Sequence, residues 1–331
     1  MSRPSTWTEQ TPVVRVLEAA ARQARHAPSV FNTQPWRWRI TSDALELRAD
    51  PDRRLATIDP DGRLLTLSCG AALHHARVML AAAGWAVTVT RLPDPADPAL
   101  LARLRVTGPA DLDLTAGRLV EAITRRHTDR RAYSDRPVPA ALLARLRAAV
   151  EAEDAYLHLV RDDQMPMLAV TTGRAADAEL ADPAYRAELR RWTDRPAEYG
   201  DGVPSAAAVR PAPRRVPVRD HVPGGTAGLS AGDGFDRGAA YLILFGERDD
   251  PAAWLRGGEA LSALLLTATA DGLATAPISD AIELAWPRQV LRDLLAGVGT
   301  PYLVIRVGWA PDGEPPATPR RTPDEVIEVD T

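Results

Sequence analysis

The residues best suited to chemistry lie in one short stretch, residues 27–36, which reads Ala-Pro-Ser-Val-Phe-Asn-Thr-Gln-Pro-Trp. It offers hydroxyl and amide side chains and backbone amides, which can hydrogen-bond a planar ligand on a rigid scaffold. Pro28 should end the preceding helix near residue 26 or 27, and the alternation of Trp36, Trp38 and Ile40 predicts a strand afterwards. The stretch is therefore a loop that either faces a ligand or makes only a structural turn.

A second candidate is the stretch from Arg125 to Arg131, which directly follows a predicted helix over residues 114–124. Arginine forks bind phosphate groups, but a run of arginines also describes a solvated surface. All 40 basic residues of the chain are arginine. Any bound phosphate must therefore be met by guanidinium groups or backbone amides.

Other chemistries find little support in the sequence. Glycines do not form a G-x-G-x-x-G motif after a strand, and no Ser-His-Asp set or zinc-like Cys/His spacing is present. The single Cys69 excludes an internal disulfide framework, and its apolar neighbours predict a buried structural thiol. His74 and His75 are predicted to be packed or partly exposed helix residues rather than ligands.

The composition sets limits on the class of protein. The chain has 331 residues, 45% hydrophobic and 25% charged, enough for one large core or two coupled halves. A formal net charge of -4 argues against nucleic acid as a partner. Because the N-terminus lacks an apolar signal core and no unbroken apolar run could span a bilayer, we expect a soluble cytoplasmic protein without a membrane partner.

Hydrophobic periodicity places the candidate residues among regular elements. Helices are predicted over residues 64–83, 139–152, 165–180, 183–192, 254–271 and 287–296, and strands near 45–47, 85–90, 101–106, 156–160, 239–246 and 302–309. Residues 194–236 are rich in proline, glycine and alanine and lack periodicity. A segment this long is either disordered or wrapped around another subunit, or it forms a lid over a site.

Several of these motifs together resemble the FMN-dependent nitroreductase superfamily, in its Acg-type branch, where one chain carries two nitroreductase-like halves. Residues 28–36 resemble the flavin-contacting Pro-Ser-x-x-Asn-x-Gln-Pro-Trp element, and the arginine-rich stretch resembles the element that opens a nitroreductase domain. Residues 272–280 resemble a loop along the flavin edge, and the tail after the strand at 302–309 resembles a phosphate-binding tail. The resemblance implies these FMN ligands: Pro28, Ser29, Asn32, Gln34, Arg125, Arg126, Thr128, Arg130, Ala276, Pro277, Ile278, Ser279, and Arg320 or Arg321.

The resemblance also implies a fold. We expect a three-layer α/β/α nitroreductase-like sandwich of the α+β class, duplicated as an intrachain pseudo-dimer with halves at residues 1–113 and 114–331 and a lid at 194–236. The arginine element occurs only near the middle of the chain, and the Pro-Ser element occurs only in the first half. One composite flavin site per chain is therefore predicted.

The function implied is that of an oxidoreductase whose FMN carries the chemistry, so that no catalytic side chain and no metal are required. NAD(P)H would bind transiently as the hydride donor in a ping-pong cycle. The substrates would be nitro, quinone or other conjugated small molecules, or a pathway intermediate would be oxidised. The alternative is a flavin-binding or flavin-sequestering protein with a closed lid, and in either case a monomer or weak homodimer is expected.

Overall fold

Two sheets with the same strand connectivity form the frame of the protein, whose computed structural model describes residues 12–193 and 195–330. The first half comprises α1 (Pro12–Ala24), β1 (Trp36–Ile40), β2 (Ala44–Ala49), α2 (Arg63–Ala82), β3 (Trp85–Arg91) and β4 (Leu100–Pro109). The second half begins with α3 (Leu114–Arg125), α4 (Ala140–Glu151), β5 (Tyr156–Leu159), α5 (Met165–Ala181), α6 (Pro183–Trp192) and β6 (Ala240–Gly246). It continues with α7 (Pro251–Ala270), β7 (Ala274–Ile278), α8 (Asp280–Glu283), α9 (Ala285–Leu294), β8 (Thr300–Gly308), α10 (Pro323–Val326) and β9 (Ile327–Val329).

The strand order shows the duplication. The first sheet runs β3-β4-β2-β1-β9, and the second, read from its opposite edge, runs β7-β8-β6-β5. In both halves the strands therefore lie in the order third, fourth, second, first, and a 20-residue helix precedes the third strand. All pairs are antiparallel except β1 with β9. The predicted duplicated α+β fold is confirmed.

The two long helices, α2 and α7, hold the halves together. Gly70 of α2 and Gly258 of α7 let the backbones touch, because a Cβ atom on Gly258 would overlap the carbonyl oxygen of Leu67. Near this crossing His74 and His75 both place Nδ1 against the Ser262 hydroxyl, at 2.8 and 2.9 Å. Both histidines are buried, and adjacent positions on one helix do meet a common partner here because α7 lies so close.

Local sequence explains most element boundaries. In α1 the buried residues recur at helical spacing, and the helix ends two residues before the predicted limit. In β1 the burial alternates strictly, so the tryptophans face the core while Arg37 and Arg39 face solvent. Cys69 is fully buried, as predicted, and burial raises the pKa of its thiol. Thr11, which the sequence predicts as the N-cap of α1 because Pro12 follows it, lies outside the described residues.

One predicted irregular segment is regular. Residues 274–278 form β7, which pairs with β8 at the edge of the second sheet. Pro277 is tolerated there because an edge strand has one row of backbone amides without a partner strand. Two short helices, α8 and α9, follow where a single helix from residue 287 was predicted.

The chain returns to the first sheet at its end. Strand β9 pairs in parallel with β1, so residues 327–329 extend a sheet otherwise built from the first half. The division of the chain between residues 113 and 114 stays a prediction. Residues 327–329 belong to the second predicted half but pair with a strand of the first. Helix α2 is long and apolar enough to cross a bilayer by length and composition, but 83% of its apolar stretch is buried inside the protein, as in a core helix.

Candidate functional site

A cavity lies at the seam between the two halves, and we call it the seam cavity. Its empty space is about 990 Å³, counting the part open to solvent at its mouth. Three parts of the chain build it. The lining residues are Pro28, Ser29, Val30, Phe31, Leu64, Leu67 and Ser68 from the first half; Thr128, Arg130, Tyr241, Leu261, Ala276–Asp280, Leu303 and Arg306 from the second; and Val216–Arg219 and His221 from the segment between α6 and β6.

The loop from the first half is held in an unusual backbone conformation. Phe31, Asn32 and Gln34 have φ angles of 44, 55 and 48°, a region that side-chain-bearing residues rarely adopt. Such residues cost roughly 1–3 kcal/mol each and cluster at ligand sites. Hydrogen bonds hold the loop in place. The Ser29 hydroxyl accepts from the backbone amide of Gln34 at 2.9 Å, and the backbone amide of Val30 donates to the Ser68 hydroxyl at 3.2 Å.

The arginine-rich stretch reaches the same cavity through the second sheet. Thr128 forms a parallel bridge with Thr275 of β7, and the Asp129 amide donates to the Thr275 carbonyl at 3.0 Å. This pairing places Thr128 and Arg130 beside residues 276–279. Two stretches separated by more than a hundred residues in the sequence thus line the same cavity as Pro28 and Ser29.

Two arginines contact the same backbone carbonyl, two residues before Pro28. Arg126 and Arg320 both donate to the carbonyl oxygen of His26, at 3.5 and 3.2 Å. The Nε and Nη1 atoms of Arg126 and the Nε atom of Arg320 are buried without a hydrogen-bond partner. In the described part of the chain, neither guanidinium pairs with a carboxylate. Two neighbouring positive charges, one buried and one partly buried, with free donors form a candidate site for a phosphate or similar anion.

The electrostatics agree with this geometry. Burial lowers the pKa of Arg126 to about 10, and burial together with the charge of Arg126 and Arg25 lowers the pKa of Arg320 to about 9. Burial and the same arginines lower the pKa of His26 to about 4, so its imidazole is neutral. Every shift opposes positive charge, which means that a bound anion would relieve the repulsion.

Asn32 and Gln34, two of the predicted ligands, do not line the seam cavity, and their side chains hydrogen-bond other parts of the protein. The Asn32 amide donates to the carbonyls of Gly202 and Pro319, both at 3.0 Å, and its oxygen accepts from Arg320 at 3.1 Å. The Gln34 amide donates to the Gly200 carbonyl at 2.7 Å, and its oxygen accepts from the Arg321 amide at 3.0 Å. These side chains tie the loop to the C-terminal tail and orient Arg320, while a cofactor role for them stays a prediction.

Two other predicted ligands lie away from the cavity lining. Arg125 is exposed at the end of α3 and donates to the Glu121 carbonyl of its own helix. Arg321 lies 3.7 Å from Asp50 and donates to the Glu325 carbonyl, so its charge already has an acidic neighbour. Each of the two tail arginines that the sequence left open has an Nε atom without a partner, but among the described residues only Arg321 has a carboxylate neighbour.

Two further cavity residues, Arg219 and His221, were not predicted as ligands from the sequence. Arg219 places Nη2 against three buried carboxylates, those of Glu179, Asp280 and Glu283. Because one cation faces three acids, the cluster must retain protons, and burial raises the pKa of Glu179 to about 9. The available signal was weak: His221 is the only histidine in a segment otherwise rich in proline and glycine.

That segment, residues 195–236, is packed rather than extended into solvent, and we call it the cover segment. It contains the short helical turns Ala197–Tyr199 and Ser205–Ala207 and buries Val203, Val209 and Val216. Among the described residues, no group of three or more His, Cys, Asp or Glu side chains is arranged to hold a metal ion.

Comparisons with known proteins support one family. The chain is 40% identical over 332 residues to "Putative NAD(P)H nitroreductase Rv3131" of Mycobacterium tuberculosis, an alignment that covers 98% of this chain and 94% of the relative. It is 38% identical over 319 residues to "Putative NAD(P)H nitroreductase acg" of the same species, covering 95% and 96%. A third relative there, "Uncharacterized protein Rv3127", is 36% identical over 324 residues, covering 95% and 93%. No protein-family model matches the chain.

Solved structures resemble the chain more distantly. The nitroreductase with bound FMN from Bacteroides fragilis is 16% identical, with a TM-score of 0.38 over 62% of this chain and 94% of its own. The FMN and NADPH-dependent nitroreductase NfnB from sphigopyxis sp. strain HMH is 23% identical, with a TM-score of 0.40 over 63% and 97%. The near-complete alignments to the mycobacterial relatives decide the assignment, and the chain belongs to the NAD(P)H nitroreductase family, in its Acg-type branch.

Proposed function

We propose that this chain is an FMN-dependent oxidoreductase that takes hydride from NAD(P)H and reduces nitro, quinone or other conjugated small molecules, or oxidises a pathway intermediate. The observation that carries the proposal is that Arg126 and Arg320 have no carboxylate partner among the described residues and lie next to a cavity built from both halves. Arg126 precedes the cavity residue Thr128 by two positions, and Arg320 donates to Asn32, the neighbour of the cavity residue Phe31. When bound, FMN supplies the redox chemistry by accepting hydride and passing electrons on.

The residues fit FMN in two respects. A phosphate ester would satisfy the free donors of Arg126 and Arg320 and remove the repulsion between their charges. The seam cavity offers the isoalloxazine apolar lining residues, including Phe31, Leu67 and Leu303, together with Pro28, Ser29 and residues 276–279. The chain's role is to bind, orient and exclude water, and we assign the hydride transfer to no side chain.

The family supports the choice of donor. The relatives at 38–40% identity are named NAD(P)H nitroreductases, and no dinucleotide fingerprint is present in the sequence. We therefore propose that NAD(P)H binds transiently at the seam cavity. Both sides of that cavity come from one chain, so a monomer or weak homodimer is sufficient, and we propose a cytoplasmic location without nucleic-acid or membrane partners.

An anaerobic titration tests the proposal. Protein is reconstituted with FMN, freed of unbound flavin and titrated with NADPH and then NADH while the flavin absorbance near 450 nm is recorded, a wavelength region set by the flavin itself. Loss of the absorbance followed by its return on addition of a quinone supports the oxidoreductase. No bound flavin after reconstitution would contradict the proposal.

A second function is favoured by the cover segment. Arg219 anchors this segment among three buried carboxylates, and Val216–Arg219 together with His221 form part of the cavity wall. If the segment stays closed, the protein would store or sequester flavin. Bound flavin that keeps its absorbance in excess NADPH and NADH, but bleaches with dithionite, would support this alternative.

A further inference from the structure

His221 of the cover segment has one ring nitrogen with a partner and one without. The Nε–H of Arg130 donates to Nε2 of His221 at 3.1 Å. Because a guanidinium can only donate, Nε2 must accept, and the proton of the neutral ring is therefore on Nδ1. The ring is more than nine-tenths buried, lines the seam cavity, and its Nδ1 has no hydrogen-bond partner.

The surroundings of His221 keep the ring neutral. Burial, followed by the charges of Arg130 and Arg219, lowers the pKa of His221 well below its usual value. The ring also packs edge-on against Phe31, with centroids 5.9 Å apart. The tautomer and the orientation of the Nδ1–H donor are thus both set by the protein.

Arg219, two residues earlier, adds donors of the same kind. Its Nη2 serves the three carboxylates, while Nε and Nη1 are buried without partners. Its guanidinium lies 5.0 Å from the centroid of the Phe31 ring, and the side chain lines the seam cavity. The unpartnered polar atoms of these two cavity-lining residues are therefore hydrogen-bond donors, and a buried donor without an acceptor costs about 1–3 kcal/mol.

We propose that the Nδ1–H of His221, assisted by Arg219, recognises a carbonyl or nitro oxygen of a planar molecule in the seam cavity. The inference deepens the proposed function and rests on it, because two molecules expected there carry such oxygens. One is the flavin, through its pyrimidine carbonyls, and the other is a conjugated acceptor molecule. The shared chemistry is a hydrogen-bond acceptor presented to a neutral, fixed imidazole.

Two variants separate the roles of the ring nitrogens. His221→Gln keeps an oxygen that can accept from Arg130 but loses the Nδ1–H donor. His221→Asn keeps an amide N–H near the position of Nδ1, so it should restore part of the binding. His158→Gln is the matched control, because His158 lies on β5, contacts Gln164 at 2.9 Å and does not line the cavity.

The experiment measures three dissociation constants for each variant: that of FMN, and those of p-nitrobenzoate and p-isopropylbenzoate for the FMN-loaded protein. The two benzoates have similar shape, but only the first carries nitro oxygens. We expect His221→Gln to weaken either p-nitrobenzoate or FMN about tenfold, the effect of one lost buried hydrogen bond, with His221→Asn intermediate. The p-isopropylbenzoate constant and the His158→Gln control should not change.

The outcomes identify the source of the oxygen. A selective loss of p-nitrobenzoate affinity assigns it to the acceptor molecule, and a selective loss of FMN affinity assigns it to the flavin. Equal binding by the wild-type and His221→Gln proteins would overturn the inference and leave the proposed function intact.

If the wild-type protein binds no FMN, the proposed function fails, and nuclear magnetic resonance then decides the inference separately. In histidine-labelled protein, the Nδ1–H signal that disappears in His221→Gln should move on addition of p-nitrobenzoate to the cofactor-free chain. A signal that stays in place would overturn the inference.

Discussion

Replacing Arg126 by glutamine should weaken FMN binding far more than riboflavin binding. The structure leaves three nitrogen atoms free in the arginine pair, and two of them, Nε and Nη1, belong to Arg126. A hydrogen bond to a charged group contributes roughly 1.5–3 kcal/mol. The loss of two such bonds amounts to about 3–6 kcal/mol, or about 10²- to 10⁴-fold in the dissociation constant of FMN.

Riboflavin has the same ring and ribityl chain but no phosphate, so its affinity should change less than threefold. The assay is a fluorescence titration of cofactor-free protein with each flavin. Arg125→Gln is the matched control, because Arg125 is the adjacent residue but is exposed and bound to its own helix. An equal loss of FMN and riboflavin affinity in Arg126→Gln would refute the placement of the phosphate at this arginine.

Three further predictions concern stability and the cover segment. Between pH 4.5 and about 9 the folded chain retains the Glu179 proton that the unfolded chain loses, so the free energy of unfolding falls with rising pH by up to about 1.4 kcal/mol per pH unit. Glu179→Gln should flatten this slope when urea unfolding is measured across the pH range. An unchanged slope would contradict the prediction. Arg219→Gln leaves buried carboxylates without their cation, so we expect the free energy of unfolding to fall by about 3–5 kcal/mol and proteolysis within residues 195–236 to become faster. An unchanged cleavage rate would contradict the role of Arg219 in holding this segment. Gly258→Ala should lower the melting temperature by forcing α2 and α7 apart. The control Gly117→Ala, at a helix position with open space, should raise the melting temperature slightly. A higher melting temperature for Gly258→Ala than for Gly117→Ala would show that the glycine contact is unimportant.

Sequence reasoning predicted elements with strong periodicity because their burial is decided locally. The tryptophans of β1 alternate with arginines, and the burial in the structure follows that alternation. The residues of β7 gave no such signal, since Pro277 and the short apolar run around it are recognisable as a strand only once β8 lies alongside. The pairing of β9 with β1 likewise depends on a contact between distant parts of the chain.

The candidate site shows the same division. The nitroreductase resemblance indicated Arg126, Arg320 and residues 276–279 as ligands. The structure places residues 276–279 in the seam cavity and both arginines on the carbonyl oxygen of His26. The sequence could not separate Arg320 from Arg321, because the difference is the carboxylate of Asp50 close to one of them. His221 was missed since its free donor depends on Arg130, which lies 91 residues away in the sequence.

The stoichiometry of bound flavin tests the central claim most directly. The protein is reconstituted with excess FMN and separated from free flavin, and FMN and polypeptide are then quantified in the same sample. Because only one pairing of the Pro28–Ser29 loop with the Arg126–Arg320 pair exists in the chain, the account predicts one FMN per 331-residue polypeptide. A value near zero, or two flavins per chain, would contradict a single composite site at the seam of the two halves.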